Sequence, residues 1–120
     1  MDLLDWLNNH QLITEYNVLD HYDLDDATLL KLRIVLADGS ILFTKEYIDA
    51  TSRKYAFHWQ KDDATWLVRW DNAPHFPKLL SFPHHRHDYR TGSENVTDSV
   101  DITLTDVLNY IHIQLTTPSR

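Results

Sequence analysis

The chain has 120 residues, enough for one ordinary domain with a single core. Hydrophobic residues make up 42% of it and aromatic residues 12%, which excludes an intrinsically disordered protein. The absence of cysteine excludes disulfides and thiolate metal ligands, and a formal net charge of −7 argues against nucleic-acid binding over the whole surface.

The N-terminal third predicts a helix, a strand and an acidic segment. Residues 2–9 favour a short helix, and the segment QLITEYNVL (11–19) is rich in strand-forming residues. The acidic run DHYDLDD (20–26) is open to two interpretations, a solvated loop or a patch for a basic protein partner. The N-terminus has no long apolar run, so we expect no signal peptide, no membrane association and a cytoplasmic location.

A first β-hairpin is predicted in TLLKLRIVLADGSILFTKEYID (28–49). Asp38–Gly39 is a favoured pair for a two-residue turn, in which both residues have positive φ. The cross-strand pairs that this turn predicts are Leu36–Ile41, Ile34–Phe43, Arg33–Thr44 and Lys31–Glu46.

A second hairpin is predicted from RKYAFHWQ (53–60) and ATWLVRWD (64–71), which both alternate in polarity. A turn at Asp62–Asp63, with a loop at 50–52 joining the two hairpins, gives one aromatic face. Its predicted members are Tyr55, Phe57, Trp59, Trp66, Val68 and Trp70. The other face would carry Arg33, His58 and Arg69, either as a solvated sheet surface or as a shallow cationic groove.

The C-terminal segment TLTDVLNYIHIQL (103–115) has apolar residues at helical spacing, and Thr103 with Asp106 resembles a capping box. We therefore predict one α+β domain over residues 1–120. It would have an antiparallel β-meander of four to five strands, a short N-terminal helix and a C-terminal helix packed on the aromatic face. Residues 72 to about 99 would form a long loop of the kind that often carries function.

The segment RWDNAPHFPKLLSFPHHRH (69–87) concentrates four of the eight histidines of the chain. In extended, proline-restricted backbone His84 and His85 point apart, whereas His85 and His87 share a side. Metal-free RNA cleavage needs an acid, a base and a cation for the phosphate, and imidazole titrates near neutral pH. The residues predicted for these roles are His75, His84, His85 and His87 as catalytic groups, Arg69, Arg86, His58 and Arg33 as substrate-binding groups, and Asp71 and Asn72 as orienting groups.

Other interpretations of this segment compete with RNA cleavage. Three imidazoles (His75, His85 and His87) with a carboxylate from Asp71 or Asp88 could bind zinc, although no cysteine supports such a site. Nucleophilic hydrolysis lacks its usual motif. The prolines could also simply stiffen a packing loop whose histidines face water. We predict no cofactor and no metal.

Four stretches, DGSILFTKEYID, KYAFHWQ, RWDNAPHFP and FPHHRH, follow one another in an order that resembles the TumE-type toxins of toxin–antitoxin pairs. The resemblance covers roughly residues 12–115. It implies a small toxin neutralised by a helix-turn-helix antitoxin, and many toxins of this size are ribonucleases. The positions carried over by the motif are Arg69, Asp71, Asn72, His75, His84, His85 and His87.

Three functions are thus open at the level of sequence. The first is a toxin that cleaves cellular RNA without a metal, by histidine acid–base chemistry. The second is a non-catalytic protein-interaction module of small α+β type. The third is a metal-dependent nuclease or phosphotransferase built on His85, His87 and a carboxylate.

Overall fold

The computed structural model describes residues 3–8 and 11–117. Its seven antiparallel strands form one sheet in chain order, so each strand pairs with the next along the chain. A short helix precedes the sheet and a longer helix follows it. The elements are α1 Leu3–Leu7, β1 Ile13–Leu24, β2 Ala27–Leu36, β3 Ile41–Asp49, β4 Arg53–Gln60, β5 Trp66–Asp71, β6 His85–Asp88, β7 Asn95–Asp98 and α2 Leu104–Thr116.

The α+β class and the element order are confirmed, but four to five strands were too few. The two additional strands, β6 and β7, lie inside the predicted long loop. Each has four residues, and β6 has the sequence HRHD, so no alternation of apolar residues marks it. The segment 11–19 does form a strand, and this strand continues through Leu24 into the acidic run.

One side of the sheet, here called the helix face, is covered by α2. Phe57, Val68 and Trp70 are buried there with Val107 and Ile111 of the helix. The helix begins as predicted, because the Thr103 side chain accepts a hydrogen bond from the Asp106 backbone and the Asp106 side chain accepts one from the Thr103 backbone. The prediction that this helix covers the aromatic face is confirmed.

The first hairpin closes with three loop residues rather than two. The Leu36 N–H donates to the Ser40 carbonyl at 2.8 Å, and Gly39 alone in this loop has positive φ, at +87°. Three-residue hairpin loops usually consist of a type I turn followed by a residue in the left-handed conformation. Val35 therefore pairs with Ile41, and the predicted register is wrong by one residue.

A second one-residue error, in the loop after β3, cancels the first. Ile48 pairs with Arg53, so this loop is one residue longer than predicted. Strands β2 and β4 keep their predicted sides, and only β3 is turned over. Thr44 is buried on the helix face, and Phe43 takes its place between Arg33 and His58.

The side opposite the helices, here called the open face, carries Arg33, His58 and Arg69, the three residues predicted to share it. Adjacent strands align Arg33, Phe43, His58, Arg69 and His87 across five strands. A parallel row aligns Lys31, Lys45, Ala56, Asp71 and His85. Arg33, His58 and Arg69 therefore share one face, although the strand register from which a groove was inferred was partly wrong.

The prediction for Trp66 is wrong. The loop after β4 has its left-handed residue at Ala64, with φ of 71°, and a bulge follows between the pairs Trp59–Val68 and Gln60–Trp66. A bulge adds one residue to one strand and so reverses the side of the residue beyond it. Trp66 consequently lies on the open face and is 50% exposed, while Trp59 stays buried on the helix face.

The two hairpin loops make a matched pair for a stability test. Left-handed backbone costs an L-residue roughly 1–2 kcal/mol, whereas glycine adopts it freely but loses more entropy on folding. We expect Ala64→Gly to raise the free energy of unfolding by about 0.5–1 kcal/mol and Gly39→Ala to lower it by a similar amount. A Cβ at Gly39 would have room, with its nearest neighbour atom at 4.0 Å, so the cost there is conformational. Urea unfolding of both variants measures the two changes in the free energy of unfolding. Changes of the same sign would contradict the assignment of left-handed residues to these loops.

Candidate functional site

Asp71, the last residue of β5, is the centre of a polar cluster on the open face. It is 7% exposed. Its Oδ1 accepts a hydrogen bond from the Ala73 N–H at 3.0 Å, and its Oδ2 accepts one from Arg69 Nε at 3.1 Å. The pairing of β5 with β6 also sets His85 directly beside it. Asp71, predicted as an orienting residue, thus fastens the following turn and lies against a histidine of the segment.

His85 is fully buried beside Asp71. Its Nδ1 lies 2.9 Å from the carbonyl oxygen of Pro83, which can only accept, so Nδ1 carries a proton. Its Nε2 lies 2.9 Å from Asp71 Oδ1, but the alignment is too poor for a hydrogen bond. Two acceptors at this separation repel each other unless a cation lies between them. A proton on Nε2 or a bound metal ion would supply that charge.

His87 follows on the same side, as the alternation predicted. Its Nε2 is 3.7 Å from Asp71 Oδ2, and its Nδ1 is 3.6 Å from Glu94 Oε2. Burial lowers the pKa of His87 below its ordinary value of 6.5, and the two carboxylates only partly oppose this. At neutral pH the ring is therefore uncharged and able to accept a proton.

A hollow of about 330 Å³ opens beside these groups, here called the Asp71 hollow. Its volume lies at the lower end of the usual range for small-ligand sites. Besides Tyr55, Ala56 and Ala73, it is lined by polar and aromatic residues of β5, the segment after it and the β6 region: Trp66, Arg69, Asp71, His75, His87 and Tyr89. Two imidazoles, a guanidinium and a carboxylate thus share one opening.

A protein-family model described as "Toxin TumE" matches residues 3–115. The chain belongs to the TumE toxin family. Membership makes it the toxin of a toxin–antitoxin system and implies an antitoxin partner. Comparison with the curated proteins and comparison with the solved structures found no match. In the described part of this TumE chain no helix is both long and apolar enough to cross a membrane.

Two candidate residues of the TumE chain lie away from the Asp71 hollow. His84 is on the helix side, where its Nδ1 and the Tyr55 hydroxyl are 2.8 Å apart. Arg86 is also on that side, and its guanidinium lies 5.8 Å from the ring centre of Tyr110. The strand alternation in β6 separates them from His85 and His87. The structure therefore does not bring all four predicted catalytic histidines together.

The remaining candidates do not line the Asp71 hollow. Asn72 ties β5 to β4, since its side chain accepts from the Tyr55 N–H and donates to the Arg53 carbonyl. His58 is buried with its ring 4.6 Å from that of Trp66, and burial, with Arg69 as a smaller cause, lowers its pKa. Arg33 lies farther along the same row, 4.0 Å from Glu15.

Metal binding remains chemically reasonable at the same place. One ligand atom each from Asp71, His85 and His87 lies within 4.8 Å of the others. The Nδ1 bond of His85 to a carbonyl is typical of a metal-binding histidine, because it leaves Nε2 free as a ligand. Against this, Arg69 already occupies one oxygen of Asp71 with a positive charge. The three side chains could hold a divalent ion, but that ion would lie close to the positive charge of Arg69.

Two aromatic residues of the Asp71 hollow were not among the residues predicted for the site. Trp66 was placed on the wrong face because the bulge is not visible in the alternation. Tyr89 was not assigned a role, although the spacing of His85, His87 and Tyr89 would have placed it on the same side. Burial raises the pKa of Tyr89 to about 12, so its hydroxyl stays protonated at neutral pH.

Proposed function

We propose that this TumE-family toxin is a metal-independent ribonuclease acting on cellular RNA. The observation that supports it best is the meeting of His75, His87, Arg69 and Asp71 in one hollow. Cleavage by the 2′-hydroxyl needs a base, an acid and a cation near one phosphate, and these side chains supply all three. The low pKa of His87 suits the base, since a base must be unprotonated before the reaction begins.

The reaction divides among these residues as follows. His87 removes the proton of the 2′-hydroxyl, and this oxygen attacks the adjacent phosphorus to form a new P–O2′ bond. The P–O5′ bond breaks, and His75 supplies a proton to the departing 5′-oxygen. The products are a 2′,3′-cyclic phosphate and a 5′-hydroxyl.

Arg69, Asp71 and His85 prepare the site for that reaction. The Nε of Arg69 is held by Asp71, which leaves its terminal N–H groups to bind the phosphate oxygens. His85 is buried behind Asp71 and does not reach the opening, so we assign it a positioning role. His85 packs against the carboxylate and limits its movement, while Arg69 stabilises the negative charge that develops on the phosphate oxygens.

Activity should follow pH along a bell-shaped curve and persist in EDTA. On the acid side, activity is lost as His87 becomes protonated. Because burial lowers its pKa, this limb should lie below the ordinary imidazole value of 6.5. Initial rates on a fluorescent RNA between pH 4.5 and 9 would show it, with circular dichroism to verify folding at each pH. An acid limb above pH 7 would contradict the assignment of His87.

A metal-dependent nuclease is the second candidate, and the grouping of Asp71, His85 and His87 is the observation that favours it. The EDTA experiment separates the two. Full activity after dialysis against EDTA supports the metal-free reaction, whereas loss of activity with recovery on adding Mn²⁺ or Zn²⁺ supports the metal-dependent one.

The partner that family membership implies is an antitoxin, and we propose that it is a helix-turn-helix protein encoded beside the toxin and acting in the cytoplasm. Expression of the toxin alone should arrest growth, and expression with the neighbouring gene should restore it. Purification of the two as one complex would support the pairing. A neighbouring product without a helix-turn-helix segment that nevertheless restores growth would contradict the helix-turn-helix assignment.

A further inference from the structure

A second hollow adjoins the Asp71 hollow on the open face. Its volume is about 310 Å³, and it is lined by Lys45 and Lys54 together with the segment Asn72–Pro74. The two hollows share Tyr55, Ala56 and Ala73 as walls, and the buried Tyr55 side chain is turned to the helix side, where its hydroxyl lies 2.8 Å from His84 Nδ1. Because alanine side chains are short, the surface between the hollows is low, and a ligand longer than one nucleotide would extend from one into the other.

The strand register fixes how the lysines stand relative to the site. Lys45 pairs with Ala56, and Ala56 pairs with Asp71, so Lys45 lies in the row of Asp71 two strands away. Two strand spacings amount to roughly 10 Å. Lys54 precedes Ala56 by two residues on β4 and so points to the same face. If the scissile phosphate is bound beside Asp71, the neighbouring phosphates of the same strand would lie near the two lysines.

Both lysines are exposed and available to a ligand. Lys54 Nζ lies 6.0 Å from the ring centre of Tyr47, and neither lysine makes an ion pair with a carboxylate of the described residues. A chain with a formal net charge of −7 repels RNA in general, so uncompensated cations beside the site matter more than they would on a basic protein.

The other end of the Asp71 hollow offers an aromatic surface. Trp66 is half exposed and is held in place by ring contacts with His58 at 4.6 Å and Tyr89 at 5.3 Å. Exposed rings of this kind stack on bases that are not already stacked in a duplex. Cations along one side and a fixed aromatic at the end are typical of single-strand binding.

We propose that the open face binds single-stranded RNA across both hollows. The scissile phosphate lies at Arg69, the neighbouring phosphates lie at Lys45 and Lys54, and a base stacks on Trp66. This inference rests on the proposed ribonuclease function for the position of the scissile phosphate. The lysines and Trp66 are then substrate-positioning residues that take no part in proton transfer.

Binding without cleavage tests the proposal. A fluorescent 2′-O-methyl hexanucleotide has no nucleophile, so its affinity can be measured by anisotropy with the full chain. We expect the double variant Lys45→Gln/Lys54→Gln to bind about tenfold or more weakly, and its log–log salt slope to be shallower by about 0.7 for each lost phosphate contact. Trp66→Ala should weaken binding by about tenfold, with no change in salt slope. The matched control is Lys61→Gln, because Lys61 lines a different hollow with Trp59 and Leu115.

The outcomes separate this proposal from the proposed function. If the wild type binds the strand through the lysines but never cleaves RNA, the binding surface stands and the ribonuclease function fails. If the wild type cleaves RNA and the double lysine variant binds the hexanucleotide as tightly as the wild type does, the surface is overturned while the ribonuclease stands. Tighter binding to a duplex of the same sequence would also overturn it.

Discussion

His87→Ala should lower the rate of RNA cleavage by at least about 10²-fold, the usual loss when a general base is removed. His87 is the imidazole of β6 that reaches the Asp71 hollow, and burial keeps it unprotonated at neutral pH. The loss should appear in kcat, because the phosphate would still bind at Arg69. Single-turnover rates on a short RNA would measure it, and the variant should no longer arrest growth on induction.

The matched control for this prediction is His84→Ala. His84 lies in the same segment but on the helix side, hydrogen-bonded to the Tyr55 hydroxyl. We expect it to retain activity within a few-fold of the wild type, with a small loss of stability from the broken hydrogen bond, about 1 kcal/mol. Equal loss of activity in both variants would mean that the substitutions act by disturbing the fold of the segment. Full activity in His87→Ala would contradict the assignment of His87 as the general base.

The second large effect is expected at Asp71, where two substitutions have different consequences. Asp71→Asn keeps an oxygen for the Ala73 N–H but removes the charge that holds Arg69 and faces His85. We expect activity to fall by about 10–100-fold, since the phosphate-binding arginine loses its orientation, with a stability loss of only about 1 kcal/mol.

Asp71→Ala should reduce stability more, by about 2–3 kcal/mol. It leaves the Ala73 N–H without its acceptor and opens a space beside the buried His85 ring, and an unsatisfied buried donor costs more than the net value of an ordinary hydrogen bond. Arg69 contributes less to this cost because it is partly exposed. Thermal unfolding of both variants gives the comparison. If Asp71→Asn also fails to fold, Asp71 is a structural residue and its role in activity cannot be separated from folding.

The sequence predicted the strands in which apolar and polar residues alternate, and the helix in which apolar residues recur at helical spacing. Both periods indicate directly which side of an element is buried. It did not distinguish two-residue from three-residue hairpin loops, since an Asp–Gly pair occurs in both. The register errors before and after β3 cancelled each other, so β2 and β4 face the sides that were predicted. No second error compensated for the bulge before Trp66, so Trp66 lies on the face opposite to the predicted one. The polar strand β6 carried no hydrophobic signal and was missed.

The candidate site was predictable where strand geometry alone decides it. Alternation placed His85 and His87 on one side and His84 on the other, and Asp71 was predicted as an orienting group before it was known to fasten the turn. The hollow lined by Lys45 and Lys54 was not predicted. Its position depends on the pairing of β3 with β4, and the predicted register of that pair was wrong by one residue. The burial that lowers the pKa of His87 likewise arises only in the folded chain.

The most direct test of this account is the identity of the RNA ends that the purified toxin makes. The chain should be incubated with a short single-stranded RNA in EDTA, beside its His87→Ala variant, and the products resolved by mass spectrometry. We expect 2′,3′-cyclic phosphate and 5′-hydroxyl ends from the wild type, with His87→Ala making at least about 10²-fold less of them. No cleavage by the folded wild type, or the same products at the same rate from His87→Ala, would contradict a ribonuclease centred on His87 and Asp71.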